Sequence, residues 1–557
     1  MSGLRRTSHT ALWFAVLAAA ALIGSDHGRG QTAGARRQVL DNFAPPAIER
    51  GISPLMTQAP DSSDVIRRRS IRAASAIADR TSASGARYVP GKVIVKFRET
   101  ASTRARTDSL REATRAGSID ARPAYANFDI VRIDPAEDAE AVARTLSQRP
   151  DVEYAQPAYR VHAAATTFVP NDRFYSEQWN LPMIDMERAW ALQPAAGSSI
   201  TVAVLDTGVA FANRTIKFHA NAFRVDADGN VLPANAAGTL YPSLGDLTLS
   251  FVMATELGPG TRFVAPHDFV WNDDTPLDFD GHGTHVSGTI GQMTNNNGTG
   301  GGDQANGGGT AGVAFNVKLM PVKVLASEWD VIFGAASETG GSDDVVAQGI
   351  RYAADNGAKI INMSLGASGP AGSAPVIEDA IRYAVGKGAF IALAGGNDFE
   401  DGNPTEVLAE IASRVPGAVS VAAVDKNKAH AFYSSTGPWV ELSAPGGSFR
   451  GFDATGGILQ QTLDLDLVDT FDSPPEQFSA PRFDSLAYFY FTGTSQATPH
   501  VSGVAAMLMQ QGITNPGAVE AALERFALDL GSPGRDNTFG FGLVQARDAL
   551  RGLGLVR

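Results

Sequence analysis

The chain has 557 residues, of which 44% are hydrophobic, and this length allows one large domain with a full core and smaller additions. Because it contains no cysteine, disulfides, thiolate catalysis and cysteine-ligated zinc are all excluded. Residues 1–162 hold 24 basic against 17 acidic side chains, whereas residues 163–557 hold 22 against 42. Phosphate binding needs clustered cations, so we expect no nucleic-acid partner for the acidic larger part.

Residues 1–35 have the pattern of a secretory signal peptide. Arg5 and Arg6 precede an uncharged run from Ala11 to Ile23, which is shorter than the roughly 20 apolar residues that span a bilayer. A short membrane anchor is the alternative interpretation. No later run reaches about 18 apolar residues, so we expect a secreted protein, extracellular or periplasmic, without a membrane span in its mature form.

Residues 36–85 are rich in Arg, Ser, Ala and Asp with little periodicity, which predicts a disordered linker. Residues 86–162 predict a small α+β domain of the ferredoxin-like kind. Its predicted elements are a strand over 88–97, a helix through Leu110, a strand over 128–133, a helix over 139–146 and a strand over 152–157.

Residues 163–557 alternate buried strands with amphipathic helices, the latter over Asp343–Asp355 and Val376–Val385. The predicted strands are Ile200–Leu205, Lys318–Leu325, Lys359–Met363, Ala389–Ala394 and Ala418–Val424. This order predicts an α/β fold with a doubly wound, mainly parallel sheet. Asp206 and Asn397 each follow a strand end, where such folds carry their functional sites.

The segment 493–503 predicts a helix that begins near Ser495. The unpaired amides of a helix N-terminus favour negative charge beside Ser495, and Pro499 is expected in the first turn, where proline is tolerated. Ser495 is therefore either a nucleophile or an ordinary helix cap.

Two histidines stand three residues apart at the start of a helix of small residues. His282 lies between glycines that let a substrate approach, which favours a general base, whereas His285 is expected to be structural. The pair could also be half of a zinc site, but no acid has the matching spacing. Asp206 is a turn residue or, if it lies beside His282, the acid that orients the imidazole.

The segments 206–208, 282–285 and 493–495 place Asp, His and Ser in the chain order of the subtilisin-like serine proteases, and residues 170–548 resemble that family. The resemblance implies a serine endopeptidase that acts on proteins or peptides through an acyl-enzyme. Asp206 would orient, His282 would be the base and acid, and Ser495 would attack. Gln496 stands where the family usually has Met. A catalytically silent binding protein and an ester hydrolase are the alternatives, although the latter's G-x-S-x-G elbow is lacking.

The run Val152–Pro157 resembles the end of the inhibitory prodomain of these proteases, with Gln156 in place of the usual acid. This resemblance implies a zymogen whose own prodomain, residues 86–162, is an intramolecular inhibitor. The opposite charges of the two parts favour their docking. We expect self-cleavage between about Tyr159 and Phe168, and a monomeric product.

The resemblance also assigns the remainder of the active site. Asn397 would donate to the oxyanion, and Ser364, Leu365 and Gly366 would form the edge that pairs with an extended substrate. The alternatives are a plain turn former for Asn397 and an ordinary core strand for Ser364–Gly366.

Calcium is the expected substitute for disulfides. Asp268, Asp273 and Thr275 match the oxygen ligands of a calcium loop found in some thermostable members, but Trp271 replaces an expected acid.

A second family site implies ligands at Asp172 and in the loop Asn295–Asn297, here Asn296. Its other carboxylate, normally soon after the catalytic aspartate, has no counterpart in Phe211–Arg214. The stretch Gly298–Gly309 lacks the ending of a phosphate loop and predicts a flexible surface loop.

Compared with the family, Phe211–Ala265 and Gly446–Tyr490 are insertions. The second carries the aromatic run Tyr488–Phe491, which predicts a buried strand or, alternatively, an exposed contact for substrate.

Overall fold

The structure is a computed structural model that describes residues 88–159 and 167–552 apart from 116, 124, 227–229, 296–308 and 473. The predicted signal peptide and linker, Asn296, residues 160–166 of the predicted cleavage window and most of the glycine stretch lie outside the described residues. The chain divides into two compact units, an N-terminal one that is described over 88–159 and a larger one over 167–552.

The N-terminal unit is an antiparallel four-stranded sheet with two helices, in the strand order β2-β3-β1-β4. Its elements are β1 (Tyr88–Phe97), α1 (Thr103–Ala113), β2 (Ser118–Ala121), β3 (Asp129–Arg132), α2 (Ala139–Ser147) and β4 (Val152–Tyr159). Alternate residues Val93, Val95 and Phe97 of β1 are buried in its core. The order confirms a ferredoxin-like unit, but the sequence-based prediction lacked β2, whose four residues are too few to show alternation.

The larger unit is built on a seven-stranded, wholly parallel sheet in the order β11-β12-β5-β13-β14-β15-β16. The strands of the unit are β5 (Thr201–Asp206), β6 (Arg214–Ala220), β7 (Phe223–Val225), β8 (Val231–Pro233), β9 (Thr239–Tyr241), β10 (Gly245–Phe251), β11 (His267–Asp268), β12 (Lys318–Lys323), β13 (Ile360–Met363), β14 (Phe390–Ala394), β15 (Ala418–Val424), β16 (Leu442–Pro445), β17 (Ile458–Leu463) and β18 (Leu486–Phe491).

Helices cover both faces of this sheet. They are α3 (Asn180–Met183), α4 (Met186–Leu192), α5 (His282–Gly291), α6 (Glu328–Phe333), α7 (Asp343–Asp355), α8 (Pro375–Gly386), α9 (Val407–Ala412), α10 (Leu465–Val468), α11 (Thr494–Gln510), α12 (Pro516–Arg525) and α13 (Ala546–Gly552). Short 3-10 turns lie at Tyr175–Glu177, Thr255–Leu257, Gly260–Arg262, Ala454–Gly456 and Thr470–Asp472.

Successive residues of β5 show the two layers of the core. Val202 and Val204 pack in the cluster that contains α5 and α11, whereas Ala203 and Leu205 pack in the cluster that contains α7 and α8. Both faces of the sheet are therefore buried, as in doubly wound folds, and the predicted fold class is confirmed. The predicted helix Asp343–Asp355 is confirmed to the residue. Sequence reasoning missed the edge strands β11 and β16, which have only two and four residues.

The second insertion forms a wall beside α5. Its strands β17 and β18 pair antiparallel, and the buried His285 donates from Nε2 to the Ile458 and Phe489 carbonyls over 3.0 and 3.2 Å. Thr462 Oγ1 donates to the Gly281 carbonyl in the turn before α5. The predicted strand at Tyr488–Phe491 is present as part of β18. Its residues are half-buried, whereas those of the paired strand β17 are all buried.

Candidate active site

Asp206 and His282 meet at the carboxyl end of β5. Nδ1 of His282 donates to Oδ1 of the buried Asp206 over 2.7 Å, and the Thr207 amide donates to the same oxygen over 2.8 Å. Because Nδ1 carries this proton, Nε2 is the nitrogen that can accept one. A strand end and a helix start thus bring together two residues that are far apart in sequence.

The turn before α5 fixes the position of the histidine. The buried carboxylate of Asp278 accepts hydrogen bonds from the Gly281 and Thr284 amides, both over 2.9 Å, which satisfies N–H groups that a helix start leaves unpaired. A Cβ atom on Gly283 would lie 2.1 Å from the Gly208 carbonyl oxygen. Only glycine therefore lets the helix approach the end of β5 closely enough for the Asp206 contact.

His282 is strongly basic in this structure. Burial opposes the charged imidazolium, but the carboxylates of Asp206, Asp280 and Asp278 outweigh burial and raise the pKa of His282 to about 9. Asp280 is close because its Oδ1 accepts a hydrogen bond from the His282 amide over 2.9 Å. The residue can therefore act as a base only in the fraction of molecules that have lost this proton.

Ser495 is the second residue of α11 and lies opposite the segment after β13. Among the described residues, its hydroxyl donates to the Ser364 carbonyl over 3.2 Å rather than to His282. In return, the Ser364 hydroxyl donates to the Ser495 carbonyl over 2.7 Å. Hydrogen bonds of a nucleophile commonly rearrange when substrate binds, so the bond to Ser364 does not exclude Ser495 as a nucleophile.

The position of Pro499 explains why the Ser364 hydroxyl donates to the Ser495 carbonyl, and it corrects the prediction that this proline lies in the first helical turn. It lies inside α11 at the sixth position rather than in the first turn, so the Ser495 carbonyl receives no N–H from four residues further on. Ser364 supplies the missing donor, and Asn362 Nδ2 in turn donates to the Ser364 hydroxyl over 3.0 Å. Ser502 Oγ donates to Asn362 Oδ1 over 2.8 Å and completes a chain back to α11. Sequence reasoning had assigned Ser364 to the substrate edge, through its backbone groups and as part of one wall of the primary pocket, and had not predicted this side-chain bond.

Two hydrogen-bond donors border one space in front of the serine. Asn397, just after β14, accepts at Oδ1 from the Thr494 amide and hydroxyl, each over 2.9 Å, so its Nδ2 is turned the other way. A Cβ atom on Gly493 would lie 2.8 Å from Gln496 Oε1, 3.6 Å from the Ser495 amide nitrogen and 3.7 Å from Asn397 Nδ2. The two donors therefore face the same place, and the Gln496 side chain must move before a carbonyl oxygen can receive both of them.

Asp172 is buried close to a second buried acid, Glu256. Both of its carboxylate oxygens accept from the Asn295 amide over 3.2 Å, and burial together with the nearby charge of Glu256 raises the pKa of Asp172 to about 7. Glu256 is also fully buried, and its carbonyl accepts from the Met293 amide over 2.8 Å. Sequence reasoning did not single out Glu256, which lies within the first insertion. Two buried carboxylates and neighbouring carbonyls fit the oxygen chemistry of calcium.

The loop that carries Asp268, Asp273 and Thr275 fits calcium poorly. Asp268 Oδ1 is engaged by the Val270 and Trp271 amides, and Asp273 Oδ1 by the Thr275 amide over 2.6 Å. Asp273 is exposed to solvent.

A buried ammonium group already provides positive charge near this loop. Lys323 forms an ion pair of 2.8 Å with the buried Asp330 and donates to the Thr207 carbonyl over 2.8 Å. Burial raises the pKa of Asp268 to about 7, and the charge of Lys323 opposes this rise. The loop therefore gains its compensating cation from the chain itself.

No helix among the described residues is long and apolar enough to cross a membrane.

The fold and the site together define the class of subtilisin-like serine proteases. The profile described as the subtilase family matches residues 197–542, and that of the fervidolysin N-terminal prodomain matches residues 74–158. A thermophilic serine proteinase of Bacillus sp. (strain AK1) is 28% identical over 464 residues, which cover 83% of this chain and 88% of the relative. An extracellular protease of Xanthomonas campestris pv. campestris is 30% identical over 498 residues, which cover 82% and 72%.

A solved protease structure from Pseudoalteromonas arctica PAMC 21717 covers 69% of this chain and 99% of its own, with 27% identity and a TM-score of 0.47. The chain belongs to the subtilase family, as the family match over most of the larger unit shows. It is a serine endopeptidase with an N-terminal prodomain of the fervidolysin type.

Proposed function

We propose that this chain is an exported endopeptidase that hydrolyses peptide bonds through Asp206, His282 and Ser495 and that matures by cutting itself. The observation that carries the proposal is the 2.7 Å hydrogen bond from His282 Nδ1 to Asp206, which leaves Nε2 as the accepting nitrogen. A neutral imidazole whose Nδ1–H is held by a carboxylate is in the tautomer that can accept the proton of a serine nucleophile.

In the proposed reaction, the Ser495 hydroxyl leaves Ser364, gives its proton to His282 Nε2 and bonds to the scissile carbonyl carbon. The Ser495 amide and Asn397 Nδ2 donate to the carbonyl oxygen as it gains charge; loss of one such donor lowers kcat on the order of 100-fold or more. His282 then passes the proton to the leaving amine. A water molecule repeats the sequence and releases the acyl group.

A fluorophosphonate probe tests this assignment. We expect labelling of the wild-type protein at Ser495 and no labelling of Ser495→Ala. The control variant Ser532→Ala removes the hydroxyl of an exposed serine outside the site and should keep full labelling. A wild-type protein that is folded but unlabelled would mean a silent binding protein. Labelling with turnover of esters and none of peptides would mean an ester hydrolase.

Self-processing is proposed because a fervidolysin-type prodomain precedes the protease. Ser495→Ala, produced away from other proteases, should accumulate as an uncut chain that lacks only the signal peptide, with residues 86–162 still attached as inhibitor. Intact-mass measurement would show this. A product of Ser495→Ala that starts between Tyr159 and Phe168 would mean that another enzyme performs the maturation.

Export is proposed from the signal-peptide pattern of residues 1–35 and from the name of the Xanthomonas relative, an extracellular protease. Removal of residues 1–35 should leave the protease inside the cell. Fractionation with an antibody to the larger unit would measure this, and unchanged export would refute it.

Calcium is proposed at Asp172 and Glu256, with backbone carbonyls and the loop around Asn295 as further oxygen ligands. The ion would neutralise two buried carboxylates and so stabilise the folded state. We do not extend the proposal to Asp268, Asp273 and Thr275, since Lys323 already supplies a cation there.

A further inference from the structure

Glu406 lies beside the segment that is expected to pair with substrate. It immediately precedes α9, and the chain around it runs along the continuation of Ser364–Gly366: the Val407 amide donates to the Ala367 carbonyl over 2.8 Å, and the Gly369 amide to the Thr405 carbonyl over 3.2 Å. This part of the chain was not among the site residues expected from the sequence.

The Glu406 side chain lies beside two glycines of the site. A Cβ atom on Gly366 would lie 2.9 Å from Oε1 and 3.0 Å from Oε2 of Glu406, and the Ala367 amide donates to Oε1 over 2.5 Å. On the other side, a Cβ atom on Gly396 would lie 2.8 Å from Ser435 Oγ and 3.3 Å from Glu406 Cβ. Gly396 immediately precedes Asn397, so the Glu406 side chain begins near the oxyanion donor and places its carboxylate beside the substrate edge at Gly366.

The charge of Glu406 has no basic partner among the described residues. The side chain is 1% exposed, and the charged group that acts on it is another acid, Asp398. Burial, with this repulsion as a smaller cause, raises the pKa of Glu406 to about 7, although hydrogen bonds from the Ala367 and Leu408 amides oppose the rise. A buried carboxylate without a counter-ion is costly, which favours a cation that arrives from outside.

We propose that Glu406 makes the protease select Lys or Arg as the residue on the acyl side of the cleaved bond. This inference rests on the proposed function, because it uses the positions of the oxyanion donors and the substrate edge. With the scissile carbonyl at Asn397 and the substrate backbone along Ser364–Gly366, the preceding side chain enters between Gly366 and Gly396. Because Gly366 has no Cβ atom, the entering side chain can approach the carboxylate that lies beside this glycine, and a guanidinium can bind a carboxylate through two hydrogen bonds.

Peptides that differ at this one position test the selection. Arginine is compared with citrulline, which has nearly the same shape without the charge, and with leucine. We expect wild-type kcat/KM for arginine to exceed that for citrulline by about 30-fold or more, the usual effect of removing one partner of a buried charge pair. Glu406→Gln should bring the ratio to near one while citrulline turnover stays within about threefold.

Two controls separate the possible failures. Glu410→Gln, on the next turn of α9, removes a carboxylate that pairs with Arg414 and should keep the wild-type ratio. If Glu406→Gln does not fold, inhibition of the wild type by benzamidine but not by uncharged benzamide gives the same answer. An enzyme that labels at Ser495 and cuts arginine and citrulline peptides equally overturns the role of Glu406 alone, whereas a protein that does not label overturns the proposed function.

Discussion

The charge of Asp280 should set the pH at which the protease becomes active. Asp280 is one of three carboxylates that raise the pKa of His282 to about 9, and at pH 7 this pKa leaves about 1% of the imidazole neutral. The change Asp280→Asn removes the charge but keeps an oxygen that can accept the His282 amide hydrogen bond. The base should therefore remain in position while its pKa falls.

The expected size follows from the balance of charges at His282. Asp206 and Asp278 remain, so the pKa should stay above its ordinary value; a fall from about 9 to about 8 corresponds to about 1.4 kcal/mol. Because the neutral form is the active one, kcat/KM at pH 7 should rise about tenfold, with little change above pH 10.

The assay is kcat/KM for one peptide substrate from pH 6 to pH 11, in which the rising limb reports the free enzyme. Asp484→Asn, at an exposed carboxylate that pairs with Arg482, serves as the control and should leave the midpoint unchanged. A midpoint for Asp280→Asn that equals or exceeds that of the wild type would refute the electrostatic reasoning.

Three further changes test other parts of the site. Asp206→Asn should lower kcat by about 10⁴ with the fold intact by circular dichroism, because the imidazole loses its oriented tautomer; near-normal turnover would contradict the assignment. The pKa of Asp172 is about 7 in the folded protein, compared with an ordinary value of 3.8. Without a cation, ionisation of Asp172 therefore lowers the stability of the folded state increasingly as pH rises from 3.8 to about 7. EDTA should therefore lower the Tm more at pH 8 than at pH 5, and equal Tm values in excess EDTA and excess calcium at pH 8 would exclude the site. Ser364→Ala should leave the Ser495 carbonyl without a donor and cost about 1–3 kcal/mol of stability, measured by urea unfolding; an unchanged free energy of unfolding would show that this bond contributes nothing.

Local patterns carried the correct predictions. The helix Asp343–Asp355 has a clear apolar stripe and a clear end, and β15 is apolar apart from Ser420, so both were predicted to their observed bounds. Asp206 and His282 lie in short segments whose glycines and neighbouring polar residues are themselves part of the local structure. Such segments can be identified without knowledge of the distant chain.

Contacts between distant segments were not predictable in this way. Glu256 and Glu406 become notable only when the fold buries them beside Asp172 and Gly366, and nothing in their own neighbourhoods marks them. The position of Pro499 was misjudged because the start of α11 depends on Gly493, whose unusual backbone conformation is set by the surrounding chain.

The wall formed by β17 and β18 has a consequence for the working life of the enzyme. It holds α5 through the bonds of Ile458 and Phe489 to His285 and the bond of Thr462 to Gly281, and the Gly281 carbonyl lies one residue before the base. Local opening of this hairpin would release the start of α5 while the parallel sheet stays intact. On heating, the enzyme should therefore lose activity faster than it unfolds globally. The stability of the hairpin, rather than that of the core, should set the half-life of the activity.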